Sequence, residues 1–279
     1  MKNKTAQVKR TDSPVMVTIK KIIKETANVT TFILEHELGS TPGQFVMLWI
    51  PGYDQKPFSI ANDSGKQFQL TIFQLGHATK QLCKMKVGDR VGVSGPYGTR
   101  YTYEPKSHLI TVGGGYGAAP LGFLAEEALK NKCMVDFIIG ARTDKDLIFE
   151  QRAKKAGAEV HISTDDGSKG HHGYNTEILE RLLENIRKKN ELKAVKVFAC
   201  GPEVMQYKVA KICKEYKVPC EVSVERYMKC GFGICGNCCM DDDGASTCVE
   251  GTVISGEKAL GLSEFGKYHR DKSGIRHDF

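Results

Sequence analysis

Five of the ten cysteines fall between 230 and 248, and four of them, Cys230, Cys235, Cys238 and Cys248, stand in the order C-x4-C-x2-C-x9-C. Glycines stand between them at 231, 233 and 236. This is the ligand order of a plant-type [2Fe–2S] cluster. Three thiolates from one tight loop must converge on a small anionic centre. Glycine allows positive φ and close backbone approach, so that N–H groups can point at sulfur. Such hydrogen bonds help to set a reduction potential. A structural zinc is the competing reading. It takes tetrahedral sulfur ligation, usually from C-x2-C pairs, and only Cys235 and Cys238 form one. Cys239 adjoins Cys238, and the x2 spacing favours Cys238 as the third ligand.

A second piece of chemistry lies at Gly113-Gly-Gly115-Tyr-Gly117-Ala118. It fits G-x-G-x-x-A between an expected strand and an expected helix. The glycines permit a tight turn and let a pyrophosphate approach the N–H groups at the helix start. Pro120 suits the first helical turn. A plain tight turn is the bland reading, and the strand–loop–helix setting argues against it. Asp144 and Asp146 follow the next strand and favour a ribose hydroxyl, hence NAD. Arg142 beside them pulls toward NADP.

These segments need a scaffold of three parts within 279 residues. Residues 1–13 read as a flexible, polar and basic N-terminus with no signal-peptide core. Residues 14–104 carry short apolar runs near 15–20, 29–34, 44–50, 67–73 and 90–94, which predict an antiparallel β-barrel. Residues 105–222 alternate strand and helix, which predicts a parallel α/β sheet. Residues 223–279 form the cysteine module. No apolar run is long enough to span a membrane. The net charge of +7 is spread over lysine-rich segments without interleaved aromatics, so nucleic acid is not the expected partner. Clustered cysteines in a chain with no export signal read as metal ligands in a reducing cytoplasm. The scattered Cys83, Cys133, Cys200, Cys213 and Cys220 read as buried small side chains.

Several motifs, taken in order, resemble the ferredoxin–NADP reductase superfamily over about residues 15–275. Lys56-Pro57-Phe58-Ser59 resembles its Arg-Pro-Phe-Ser flavin motif. Gly88-Asp-Arg-Val-Gly-Val-Ser-Gly-Pro-Tyr-Gly98 resembles its G-D-x-x-x-x-x-G-P-x-G segment. Gly113 to Leu121 is similar to its G-G-G-x-G-x-A-P-L loop, and Ala199-Cys-Gly-Pro202 to its A-C-G-P turn. Glu225-Arg-Tyr-Met before Cys230 is similar to the E-x-x-M-x-C-G-x-G-x-C signature of one member family, the electron-transfer subunits of NAD-dependent dihydroorotate dehydrogenases.

The resemblance implies roles for particular residues. Lys56, Pro57, Phe58 and Ser59 would meet FAD, with Lys56 near the diphosphate and Ser59 near flavin N5. Lysine lacks the bidentate fork of arginine, which is a departure from the family. Thr71, Ile72 and Phe73 would line the isoalloxazine edge. Ala78 and Thr79 occupy the place of a family Gly-Thr or Gly-Ser pair at the diphosphate, and the alanine is a second departure. Gly113, Gly115, Gly117, Ala118 and Pro120 would hold the dinucleotide. In the loop Thr164–Gly173, Asp165, Asp166 and Ser168 would contact ribose or adenine, and Lys169, His171 and His172 phosphate. A solvated loop is the competing reading there. Cys200 would lie near the nicotinamide, with a packed thiol as the competing reading.

The function so implied is a wire. NAD(H) exchanges a hydride with FAD, and FAD exchanges single electrons with the [2Fe–2S] cluster. The cluster would face an FMN-containing dihydroorotate dehydrogenase catalytic subunit, as a heterotetramer of two of each, in pyrimidine biosynthesis. Similar modules serve hydrogenases, sulfide dehydrogenase and ferredoxin:NADP oxidoreductases, though a carboxylate often replaces one cluster cysteine in the last two. A zinc-stabilised nucleotide sensor is the non-enzymatic alternative. No catalytic triad or acid–base dyad is expected, because the cofactors carry the chemistry.

Overall fold

The structure of the protein is a computed structural model that describes residues 11–279. The first unit contains β1 (Thr11–Lys24), β2 (Val29–Glu35), β3 (Phe45–Ile50), β4 (Asp54–Asp63) and β5 (Phe68–Phe73). Helix α1 (His77–Leu82) precedes β6 (Arg90–Tyr97). The strands close an antiparallel barrel in the order β1-β2-β5-β4-β3-β6. Residues 1–10 of the expected flexible terminus lie outside the described residues, and residues 11–13 belong to β1. Strand β4 has no counterpart among the apolar runs. Its polar ends and Pro57 hide it, because proline cannot donate to a ladder. It pairs with β3 through Phe45 opposite Ser59 and Met47 opposite Pro57.

Strand β3 shows how the barrel serves two purposes. Val46, Leu48 and Ile50 point into its core. Phe45 and Met47 point outward, into a separate cluster with Tyr97, Met228, Cys238 and Cys248. Alternation along one strand therefore fills the barrel and also floors the cysteine module. Both faces are buried, which is why the run reads as almost continuously apolar.

The second unit runs β7 (His108–Gly114), α2 (Ala118–Lys130), β8 (Met134–Ala141), α3 (Glu150–Ala156), β9 (Glu159–Thr164), β10 (His171–His172), α4 (Asn175–Lys188), β11 (Val195–Cys200), α5 (Glu203–Tyr216) and β12 (Cys220–Ser223). Neighbours β10-β9-β8-β7-β11-β12 are parallel, as the strand–helix rhythm predicts. Helices α3 and α5 carry lysines among their apolar positions, which weakens their sequence signal. Helix α5 nevertheless buries Val209, Ala210, Ile212 and Cys213.

The last segment holds α6 (Thr247–Glu250), β13 (Val253–Ser255), α7 (Gly256–Gly261) and the hairpin β14 (Tyr268–Arg270) and β15 (Arg276–Asp278). Strand β13 pairs antiparallel with β12. The expected boundary at 222/223 therefore does not separate two sheets, and the cysteine module is stitched into the nucleotide-binding sheet. Arg152 joins that sheet to the barrel. Its Nε lies 2.6 Å from Glu126 Oε1, and Nη2 donates to the Ala61 carbonyl of β4 at 3.0 Å. Asn62 donates to the same Glu126 at 2.8 Å.

A polar contact spans three strands at the opposite end of the sheet from the glycine loop. Asp136 of β8 lies 2.5 Å from His108 Nε2 of β7 and 2.6 Å from His161 Nε2 of β9. Burial raises the Asp136 pKa, but the two histidines outweigh it and bring the carboxyl to about 2. The folded value lies below the ordinary 3.8. Its stabilisation is therefore present above about pH 4 and is lost as pH falls through 2. Asp136→Asn is expected to remove up to about 2 kcal/mol near pH 5. It should also flatten the acid limb of the stability profile between about pH 4 and 2. Urea melts across pH check this, and a variant with the wild-type profile would refute it.

Candidate functional site

Two cavities meet where the barrel abuts the C-terminal ends of the parallel strands. The smaller, about 230 Å³, is lined from the barrel by Pro57, Phe58, Ser59, Thr71, Ile72, Phe73 and Thr79. Gly117, Pro120 and Cys200 line it from the sheet, and Ser223, Glu225, Arg226 and Met228 from the start of the cysteine module. The larger, about 570 Å³, is lined by Gly114, Gly115, Arg142, Asp146, Asp165, Asn175, Pro202, Met205 and Lys208 among others. Phe73 and Tyr116 line both. Their rings stack at 5.5 Å and 20° and partition the two spaces.

The glycine loop packs as its sequence requires. A Cβ on Gly117 would lie 2.3 Å from the Cys200 carbonyl oxygen, so only glycine lets α2 start against β11. Gly115 has φ +54° and open space in front of it, which leaves its backbone free to meet a ligand. Gly113 and Ala118 do not line either cavity. They touch one another at the strand–helix junction.

Other expected contacts separate in the same way. Ser59, Thr71, Ile72 and Thr79 reach the smaller cavity. Thr79 Oγ1 accepts from the N–H groups of Leu75 and Gly76, both at 3.0 Å. Ala78 is buried in the barrel core instead. Lys56 lines neither cavity, its ammonium lying 2.8 Å from Asp54 and 5.0 Å from the Tyr227 ring centre. Asp165 reaches the larger cavity. Asp166 accepts from Ser168 at 2.6 Å and shapes the turn. Lys169 pairs with Glu150, and His171 with Glu177 at 2.5 Å. Cys200 is buried at the end of β11. Burial first, and then the Glu225 charge, push its thiol up to about 12.

The sequence reading assigned no role to Tyr116, Asn175, Lys208, Ser223 or Thr252. Tyr116 occupies the variable position of the glycine motif and gave no signal. Asn175 donates to the Gly113 carbonyl at 3.3 Å and holds the loop from α4. Glu225 was visible as part of a motif but without a role. Its side chain is exposed and lines the smaller cavity. Desolvation first, and then the Glu203 charge, raise its pKa.

The four motif cysteines lie close enough to act on one another, Cys230 with Cys235, and Cys248 with both Cys238 and Cys230. Burial raises the Cys230 pKa, but the N–H groups of Phe232, Cys235 and Ile234 outweigh it and hold the thiol at about 6. Gly233 N–H donates to Cys248 Sγ at 3.1 Å. A Cβ on Gly231 would lie 2.4 Å from Met47, which seats the loop on β3. Cys239 turns away toward Ser246 Oγ, 3.6 Å distant. Among the described residues, no three His, Cys, Asp or Glu side chains gather as ligands of one ion.

Comparisons with known proteins agree with this geometry. Residues 225–259 match the family model of the iron–sulfur cluster binding domain of dihydroorotate dehydrogenase B. Residues 111–211 match the oxidoreductase NAD-binding domain. The chain is 43% identical over 264 residues to the probable dihydroorotate dehydrogenase B (NAD(+)) electron transfer subunit of Methanocaldococcus jannaschii, covering 94% of this chain and 98% of the relative. It is 41% identical to that of Methanocella arvoryzae, again covering 94% and 98%. Among solved structures it is similar to an NADH-dependent reduced ferredoxin-NADP oxidoreductase, at 26% identity and TM-score 0.76, covering 87% of this chain and 89% of that one. An Amycolatopsis cytochrome P450 reductase shares the fold at 22% identity and TM-score 0.64, over 77% and 70% of the two chains. Matched almost end to end by such relatives, the chain belongs to the dihydroorotate dehydrogenase B (NAD(+)) electron-transfer subunit family.

Proposed function

We propose that this chain carries electrons between NAD(H) and the FMN-containing catalytic subunit of a dihydroorotate dehydrogenase, through FAD and a [2Fe–2S] cluster. The observation that carries this reading is the contiguity of three sites. A dinucleotide-sized cavity opens onto a second cavity. Met228, which lines the second, packs in one cluster with Cys238 and Cys248. When bound, FAD accepts or gives a hydride on the nicotinamide side and single electrons on the cluster side, and the cluster carries one electron at a time.

The residues of the chain bind, orient and shield. In this reading Ser59, Thr71 and Ile72 border the flavin ring, Pro57 and Phe58 border its approach, and Thr79 supports the diphosphate. Gly115 and the start of α2 receive the dinucleotide pyrophosphate, where free N–H groups favour anions. Asp165 faces the ribose. Cys200 stays a neutral thiol and packs beside the reacting rings. Cys230, Cys235, Cys238 and Cys248 would hold the cluster through their thiolates. The polarised N–H groups around Cys230 favour the thiolate that a metal requires. In this reading Cys238 and Cys248, buried beside Met228, are on the flavin side, and Cys235 is exposed. A heterotetramer of two of each subunit in the cytoplasm completes the proposal. Among the described residues no helix is long and apolar enough to cross a membrane.

The deciding experiment is the anaerobic visible spectrum, flavin analysis and low-temperature EPR of purified protein, before and after NADH. One FAD per chain and a [2Fe–2S] signal that appears on reduction are expected. A colourless protein with zinc at the four cysteines would overturn the proposal in favour of a nucleotide-sensing module.

A further inference from the structure

The charged residues around the smaller cavity are unevenly balanced. Glu225 and Arg226 are the charged residues in its lining. The Arg226 side chain is 5% exposed and is spent on two other carboxylates. Its Nη1 donates to Glu203 Oε2 at 2.6 Å, and its Nε to Glu264 Oε1 at 2.9 Å. The Glu225 carboxylate has no hydrogen-bond partner among the described residues. One guanidinium therefore faces three carboxyl groups. The nearby ammonium of Lys56 is engaged by Asp54 and lies outside the lining.

The field inside the cavity follows this excess. The negative charge of Glu203 acts on Glu225 more strongly than the positive charge of Arg226 does. The charge of Glu225 in turn reaches Tyr116 and Cys200, the two groups facing it from the β7 loop and from β11. Once a ligand fills the cavity and displaces water, charge on its wall acts at a lower effective dielectric than in water.

We infer that this carboxyl excess, Glu225 at the cavity wall backed by Glu203 and Glu264, holds the reduction potential of the bound flavin below that of free flavin. The inference rests on the proposed placement of FAD in this cavity. Reduction adds negative charge to the ring unless a proton follows each electron, and neighbouring carboxylates oppose it. Charge near the flavin ring is one of the levers by which a protein tunes this cofactor. The tuning has a purpose in an electron-transfer subunit. Nicotinamide is a stronger reductant than free flavin. A flavin of lowered potential exchanges hydride with it near balance, in either direction.

The test is an anaerobic redox titration of the purified holoprotein, following the flavin band against indicator dyes with no pyridine nucleotide present. Wild type is compared with Glu225→Gln and Glu203→Gln. Glu225→Gln keeps the shape of a side chain that has no partner to lose. Glu203→Gln leaves Arg226 paired with Glu264. The wild-type potential is expected below that of free flavin. Both variants should shift it positive, so that at a fixed solution potential the reduced-to-oxidised ratio rises about tenfold. The gap between wild type and Glu225→Gln should widen as pH rises and Glu225 ionises, and close at low pH, where both are neutral. A purely structural role would lower flavin occupancy without moving the potential of the flavin that remains. Flavin bound at or above the free-flavin potential, or variants that leave it unchanged or move it negative, would overturn this inference alone. A wild-type protein that binds no FAD would overturn the cavity assignment and this inference with it.

Discussion

Cys235→Ser is expected to abolish electron delivery to the catalytic partner, with a loss of at least about a hundredfold, while NADH still bleaches the flavin. The scale follows from metal sites in which changing an outer-shell partner already costs 10- to 100-fold. Removing a direct ligand should cost more. Position 235 is the informative choice because its side chain is exposed. Cys238 and Cys248 are buried in the Phe45–Met47–Tyr97 floor, so replacing them would confuse a ligand effect with a packing effect. Serine preserves size at position 235 but offers a hard oxygen in place of a thiolate. NADH-to-ferricyanide activity needs only the dinucleotide and flavin sites and should persist. The [2Fe–2S] EPR signal should disappear or change form. Full partner-linked activity with a normal signal would remove Cys235 from the cluster.

The second large effect concerns folding. Arg226→Met should cost about 3–5 kcal/mol, the usual consequence of removing one partner from a buried ion pair. The clasp is unusually dry, with side-chain exposures of 5% for Arg226, 7% for Glu203 and 2% for Glu264. It also ties the molecule across its units. Glu203 opens α5, Arg226 enters the cysteine module, and Glu264 lies beyond α7. Glu203 further accepts from Gly266 N–H at 3.0 Å. Burial already pushes the Glu264 carboxyl upward in spite of Arg226 beside it. Once stranded it can take up a proton, which limits the loss to a few kcal/mol. A domain of this size then melts on the order of 10 °C lower. Calorimetry of the holoprotein checks the value. Adding Glu203→Gln and Glu264→Gln to Arg226→Met should recover part of the loss, since no charge is then left unpaired. An unchanged melting temperature in the single variant would show that the clasp contributes nothing.

Much of this could be read from the chain alone. Apolar runs with period two, followed by an alternation of strand and helix, were enough for a barrel and a parallel sheet, because those patterns reflect which faces must leave water. The cysteine order and the glycine loop were legible for a related reason. Ligand geometry and close backbone approach restrict residue type at fixed spacing, so the chemistry is written locally. Strand β4 escaped because its role depends on partners rather than on its own hydrophobicity. Pro57 and Ser59 sit in a strand only because β3 supplies Met47 and Phe45 opposite them.

The remaining features depended on residues distant in sequence. Nothing local says that Lys56 lies over the Tyr227 ring, that Ala78 fills the barrel core, or that Cys239 turns to Ser246. Nothing local makes Tyr116 stack on Phe73, or sets Glu203, Arg226 and Glu264 in one dry contact. The sequence by itself determined the cofactor classes and the order of the folding units, because spacing and periodicity act over a few residues. The tertiary structure decided which side chains face the cavities and what charge surrounds the flavin site. Those properties arise from long-range contacts and from the exclusion of water.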